Sequence, residues 1–253
     1  KRPLDTPHGA LEQQFGSYNF YRTLWDIGGA ITDSRSLSVR FAGGYQNSGS
    51  FRDFNFIDRK VFNPSVTWRP TDKTTMTVDV EILKQDFRAD SGIPVIGNRP
   101  APVPISRSYG DPNTPASFTN KTHIGFHLDH KLNESWKLTN RFLSSFIDAE
   151  SIWANPAPAF GNALQADGRT LNRNIFGQTS YVRTYATNLD LTGKFAVAGT
   201  QHTLLIGMDY TRAATDYGIY GNFTSGNPAL AIDLFNPTYG IAPSLFTAAR
   251  ATT

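Results

Sequence analysis

Apolar and polar residues alternate with a period of two over long stretches of this chain. In "SLSVRFAGGYQ" (36–46), Leu37, Val39, Phe41, Gly43 and Tyr45 fall on one face and Ser36, Ser38, Arg40, Ala42, Gly44 and Gln46 on the other. In "TTMTVDVEILKQD" (74–86), Met76, Val78, Val80 and Ile82 oppose Thr75, Thr77, Asp79 and Glu81. At 122–132, Ile124, Phe126 and Leu128 oppose His123, His127 and Asp129. This is the signature of strands with one apolar and one polar face. The same reading gives further strands at 9–16, 20–30, 60–69, 136–150, 179–195 and 202–216, nine in all. In the last, Leu204, Ile206 and Met208 form the apolar face and Thr203, Leu205, Gly207 and Asp209 the other.

These strands are long. Eleven residues at about 3.3 Å per residue, tilted by about 40°, cover roughly 28 Å, which matches a bilayer core of about 30 Å. The connections alternate in length. Brief turns fall at 32–35, 70–73, 133–135 and 196–201, and long connections at 47–59, 87–121, 151–178 and from 217 onward. All the brief turns after the first hairpin turn (Gly16 to Asn19) therefore lie on one edge, as in outer-membrane barrels with short periplasmic turns and long extracellular loops. Trp68, Trp136 and Phe195 flank three of these turns, where an aromatic girdle would stand. The pattern predicts an all-β, antiparallel transmembrane barrel wall, read as one domain over 1–253.

Composition fits that picture. The hydrophobic fraction is 39%, yet aromatics reach 13%, and mean hydropathy is −0.35, the average expected when lipid-facing and lumen-facing residues alternate. No apolar run approaches the roughly 18 residues of a spanning helix. A net charge of +3 with scattered basic residues gives no nucleic-acid footprint. The absence of cysteine removes thiol nucleophiles, disulfide scaffolds and zinc ribbons. The opening "KRPLDTPHGALEQQFG" lacks a Met and an apolar signal core, and reads as a junction rather than a beginning.

Several stretches together resemble the TonB-dependent outer-membrane receptors for ferric siderophores, in particular the ferrichrome-receptor-like branch. "KRP" resembles the end of the plug domain, and "GSYNFYRTLWDIGGAI" the first barrel hairpin. "RKVFNPSVTWRPTDKTTMTVDVEI" is similar to the next strand pair, and "DSGIP" to a recurring start of the third extracellular loop. "GFHLDHKLNESWKLTNRF", "HTLLIGMDYTR" and "DLFNPTYG" resemble later hairpins and a later loop. The resemblance implies a barrel of about twenty-two strands around a plugged lumen, of which this chain would supply the first nine. It implies a non-enzymatic active transporter in the bacterial outer membrane, carrying a ferric siderophore and binding no cofactor of its own. The TonB complex would act through an N-terminal region outside this chain. The other partners implied are the receptor's own plug domain, outer-membrane lipid and lipopolysaccharide.

For capture of a bulky polar complex, rings and guanidinium groups in the long connections are suited. The candidates are Phe51, Arg52, Phe54 and Phe56 in one loop, Arg107 and Tyr109 in the next, Trp153 in the fourth, and Tyr217, Tyr220 and Phe223 in the last. The glycine cluster "YGIYGNFTSGNP" (217–228) reads as flexible loop. Other constellations carry less. His123 and His127 stand about 13 Å apart along a strand and His130 points the other way, so they do not share an ion. Asp79 and Glu81, about 6.6 Å apart on one strand face, have the spacing of a glycosidase pair but fit a polar lumen wall better. No G-x-S-x-G, Walker loop or G-x-G-x-x-G occurs. The alternatives are a TonB-dependent importer of cobalamin, haem or an oligosaccharide, an outer-membrane barrel hydrolase, and a soluble carbohydrate-binding β-sandwich.

Overall fold

A computed structural model describes residues 2–156, 163–222 and 227–251. Among the described residues the long strands are nine: β1 (His8–Gly16), β2 (Phe20–Ala30), β3 (Leu37–Ser48), β4 (Ile57–Thr71), β5 (Thr74–Phe87), β6 (Ser117–Lys131), β7 (Trp136–Pro156), β8 (Arg173–Val197) and β9 (Thr200–Asn222). They form one antiparallel sheet in chain order, each strand bonded to its sequence neighbours, and β1 and β9 are its open edges. The expected partial barrel wall is borne out. A helix, α1 (Pro243–Arg250), and two short ribbons, Val95–Ile96 with Arg99–Pro100 and Thr170–Leu171 with Ile232–Asp233, lie in the long connections.

Five of the strands outrun the alternation by three or more residues, each on the long-loop edge. β4 begins at Ile57 and β6 at Ser117, β7 ends at Pro156, β8 begins at Arg173, and β9 ends at Asn222. The apolar signal stops where a lipid-facing band would end, whereas ladder hydrogen bonding continues for as long as a neighbouring strand offers partners. This corrects the reading of 217–222 as loop: these residues pair with 175–180 of β8. The rest of that glycine cluster includes Phe223, which lies outside the described residues, as does Lys1.

Register fixes which side chains share a face. One row of paired residues runs Val39, Val66, Val78, Phe126, Phe142, Thr187, Tyr210 from β3 to β9. The next runs Leu37, Trp68, Met76, Leu128, Asn140, Leu189, Met208. Phe41, Phe62, Val66, Val78, Ile82 and Ile124, on the same face, are all exposed. The second row begins at Leu37, at the short-turn end of β3, and reaches Met208 well along β9. An apolar band level with the membrane must cross such rows obliquely, as strand tilt in a barrel requires.

Rings mark both edges of this outer face. At the short-turn edge, Trp136 packs over its cross-strand partner Gly193, where a Cβ would meet the indole at 2.5 Å, and Phe195 stacks on His202 at 5.7 Å. Toward the long loops, Tyr21 meets Tyr45 at 5.6 Å and Phe146 meets Tyr185 at 5.9 Å. The two-residue turn Ala198–Gly199 has φ of 50° and 80°, the left-handed pair that matches strand twist in a tight hairpin.

The opposite face carries a polar network. Arg40 Nε donates to Asp26 at 2.7 Å, the Thr67 and Thr77 hydroxyls meet at 2.9 Å, and Lys121 pairs with Glu81. His127 and Asp129 meet at 2.7 Å, and Lys137 and Thr139 also contact that carboxylate, at 2.8 and 2.9 Å. Asp129 and Glu81 thus act as wall residues bonded to neighbours across the sheet, and His127 is held along its own strand by Asp129. His130 faces the other way and bonds Thr74 at 2.9 Å.

Exposure alone cannot assign the facing of β9, because Leu205 and Ile206 are 62% and 58% exposed on an open edge. Register does: Ile206 pairs with Leu191, in line with Leu138, and Leu205 pairs with Thr192, in line with Lys137. In the intact membrane protein, Ile206→Arg should cost up to about 2–4 kcal/mol near mid-bilayer and lower folded yield more than Leu205→Arg. Equal folded yields in the same bilayer preparation would contradict the assignment.

Candidate functional site

The long connections gather into a cap beyond the ends of the strands, and its irregular backbone leaves many carbonyls without a ladder partner. Arginines supply the missing donors. Arg88 donates Nη1 to the Phe54 carbonyl at 2.9 Å and Nη2 to the Thr114 and Pro112 carbonyls at 2.9 and 3.1 Å. Arg52 donates to the carbonyls of Ile105 and Arg107 and pairs with Asp90 at 3.0 Å. Arg107 reaches the Phe235 carbonyl at 3.0 Å. Arg173, buried at the root of β8, donates to the carbonyls of Leu230, Tyr109 and Gly110 at 2.8, 3.2 and 3.1 Å.

Asp111 is the counter-charge at the centre. Fully buried, it accepts from the backbone N–H groups of Asn113, Gly240 and Ile241 at 3.0, 3.0 and 3.1 Å and faces Arg173 at 3.7 Å. A buried carboxylate is tolerated only when so surrounded. Two apolar clusters flank this centre. In one, α1 docks Phe246 and Ala249 onto Ile152, Ala154, Ile175 and Tyr220. In the other, Tyr109 packs with Ala101, Leu171, Ile232 and Leu234.

Of the ten sequence candidates, Phe223 lies outside the described residues and Phe56 sits under the Arg88 guanidinium at 5.3 Å; the other eight divide by environment. Tyr109 is fully buried and its hydroxyl donates to the Leu234 carbonyl at 2.7 Å. Tyr220 is buried in the α1 cluster, its hydroxyl on Glu150. Arg52 and Arg107 are the carbonyl staples described above, and Phe54 meets Tyr239 edge-on at 4.8 Å. Phe51 is exposed beneath the Arg52 guanidinium at 5.1 Å. Tyr217 is exposed on the polar-wall face of β9, its hydroxyl donating to Gln178 at 3.1 Å. Trp153 packs against Phe176 at 5.0 Å on that same face, by strand parity, and lines a cavity of about 970 Å³.

That cavity joins Trp153 and Asn155 of β7 to the stretch 89–97, with Leu164, Leu171 and Leu234 opposite. Ser91 secures the junction through its hydroxyl, 2.5 Å from Asn155 Oδ1. "DSGIP" therefore contributes through Asp90, Ser91, Ile93 and Pro94, although it holds no ring. Sequence reasoning missed Ile93, Ile96, Leu164, Asp111 and Arg173 as parts of the cap. The Asp-Pro-Asn turn signal at 111–113 was the available pointer to Asp111. Among the described residues, no three metal-ligating side chains are grouped to hold an ion.

No family model matches the chain. It is similar to curated proteins along nearly its whole length. The metal-pseudopaline receptor CntO of Pseudomonas aeruginosa (strain UCBPP-PA14) is 28% identical over 242 residues, 95% of this chain and 33% of the relative. The ferrichrome outer membrane transporter/phage receptor of Escherichia coli (strain K12) is 24% identical over 255 residues, 94% of this chain and 34% of the relative. The crystal structure of the siderophore receptor PiuA from Acinetobacter baumannii superposes with a TM-score of 0.81 at 20% identity, over 95% of this chain and 37% of that one. The resemblance to outer-membrane siderophore receptors holds, and so does the barrel fold. The chain spans about a third of the length of these relatives.

Burial pushes the Tyr109 hydroxyl up to about 12. The folded cap thus holds this proton more tightly than the unfolded chain, so the stabilisation is complete below about pH 10 and is lost as pH rises toward 12. Protease sensitivity of 88–116 should increase across that window, and Tyr109→Phe should reduce the increase. Asp111→Ala leaves Arg173 as an unpaired buried charge, at about 3–5 kcal/mol. It should expose 88–116 and 227–251 to protease while the strands stay protected, and cleavage indistinguishable from wild type would remove Asp111 from the centre of the cap.

Proposed function

We propose that this chain forms the first nine strands of the barrel wall of a TonB-energised outer-membrane receptor that imports a ferric siderophore. The observation that carries the reading is the pairing of two unlike ends: a thin rim of short turns, and a built cap with a cavity over the polar face of a membrane-length wall. A soluble sandwich has no use for that asymmetry, and the relatives are receptors and transporters.

In this reading the protein does no chemistry on its ligand. Iron arrives as cargo inside its chelator, and the chain itself binds no cofactor. Trp153, Phe51 and Tyr217 offer rings to the ligand from the cavity wall, an exposed loop and the polar wall. Arg52, Arg107, Tyr109, Tyr220 and Phe54 shape the cap that positions them. Energy comes from the TonB complex through a plug domain outside this chain, and the outer face rests in outer-membrane lipid and lipopolysaccharide. A second reading is import of another metal carried by a small chelator, favoured by the similarity to a metal-pseudopaline receptor.

Uptake of labelled ferric siderophores by cells carrying the full-length receptor, with and without TonB, tests the proposal against cobalamin, haem, oligosaccharide and other metal–chelator complexes. TonB-dependent iron accumulation is expected. Accumulation of only a different solute would replace the ligand class, and none in either strain would overturn the transporter reading. Trp153→Ala should weaken ligand binding by about 2 kcal/mol, or more than tenfold, with unchanged membrane abundance. Unaltered affinity would take the cavity out of the site.

A further inference from the structure

The segment before β1 does not hang free at the rim of the sheet. Its first side, Pro7, fits against β2 at Gly29, where a Cβ would stand 2.9 Å from the Pro7 Cα. The Asp5 carbonyl then accepts from the Ala30 N–H at 3.3 Å. The Asp5 carboxylate reaches across the polar face to the buried Ser38 hydroxyl of β3 at 2.8 Å and to Arg69 of β4 at 3.0 Å. Pro3 is buried, and Arg2 stands 3.7 Å from Asp129 of β6. Over a few residues the chain has crossed from β1, at one edge of the sheet, to β6, its side-chain partners Ser38, Arg69 and Asp129 all on the polar wall.

We infer that Arg2–Pro7 is a strain-relief strap: it takes up tension arriving from the chain upstream before that tension reaches β1. The inference rests on the receptor reading, in which a domain upstream of this chain is pulled. β1 is an edge strand whose first pair is His8 with Gly28. A pull directed from the polar side would load that pair alone and peel the strand one hydrogen bond at a time. With the strap in place, the same pull must first part Arg2 from Asp129 and then Asp5 from Ser38, Arg69 and the Ala30 N–H together. These contacts span four strands, β2, β3, β4 and β6, so they share the load. Arg69 also donates to the Arg35 carbonyl at 3.2 Å, and Asp129 keeps His127, Lys137 and Thr139 as partners. Both anchors on the wall are therefore complete without the strap, as a releasable clasp requires.

The test is single-molecule force spectroscopy on the full-length receptor in outer-membrane lipid, pulled by its N-terminal end. A distinct rupture is expected immediately before the length gain that marks release of β1. Asp5→Ala should abolish this rupture and let β1 detach at lower force. Arg69 and Ser38 remain bonded to each other at 3.4 Å, so the wall itself should fold normally. The charge exchange Asp5→Arg with Arg69→Asp should restore the rupture, and Leu4→Ala, at a half-exposed position, should leave it unchanged. Traces of Asp5→Ala that match wild type, or an equal loss in Leu4→Ala, would overturn the strap. Uptake is scored separately: a receptor that shows the rupture but imports nothing overturns the reading beneath it and not the strap.

Discussion

Every feature of this chain depends on one constraint: backbone N–H and C=O groups that face lipid have no water to bond, so each strand must be satisfied by its neighbours. The antiparallel meander answers it by bonding each strand to its neighbours in sequence. Because side chains then alternate across the sheet, one face can be wholly apolar and the other polar. Phe41, Val66, Val78 and Phe126 line the first, while Arg40, Thr67, Thr77 and His127 line the second. The polar face in turn is where charged side chains find partners across strands, as Asp129 does with Thr139 and Lys137.

Where the ladder ends, the same constraint is met differently. The cap has few regular pairs, and guanidinium groups take over as donors to its carbonyls. Arg52, Arg88, Arg107 and Arg173 bind together segments far apart in sequence, with Asp111 as the central charge. This gives the long connections a fixed shape and holds the cavity wall formed by Trp153 and the 89–97 stretch.

Period-two alternation is a local signal, so the strands, their facing and the short turns were legible in the sequence. Leu204, Ile206 and Met208 pair as that alternation requires. The strand extensions were not legible, since beyond the apolar band both faces meet polar or loop surroundings and alternation carries no information. The roles of cap residues were the least legible. Arg52 and Trp153 look equally suited to a ligand as residue types, yet one donates to backbone carbonyls of another loop and the other lines a cavity. Tyr220 looks like loop and lies in a strand, buried under α1. Such assignments are set by contacts between distant segments, such as Arg173 with Leu230, which no local window contains.

The central claim is that one face of the sheet meets lipid and the other does not. Since the chain has no cysteine, single cysteines can be placed along β6 of the intact protein, in a background with any cysteine outside this chain replaced, and labelled with a probe that reports lipid or water contact. The account predicts lipid contact at positions 124, 126 and 128, water or protein contact at 123, 125 and 127, and no lipid contact at 117–119. A β6 whose two faces report the same environment would contradict it.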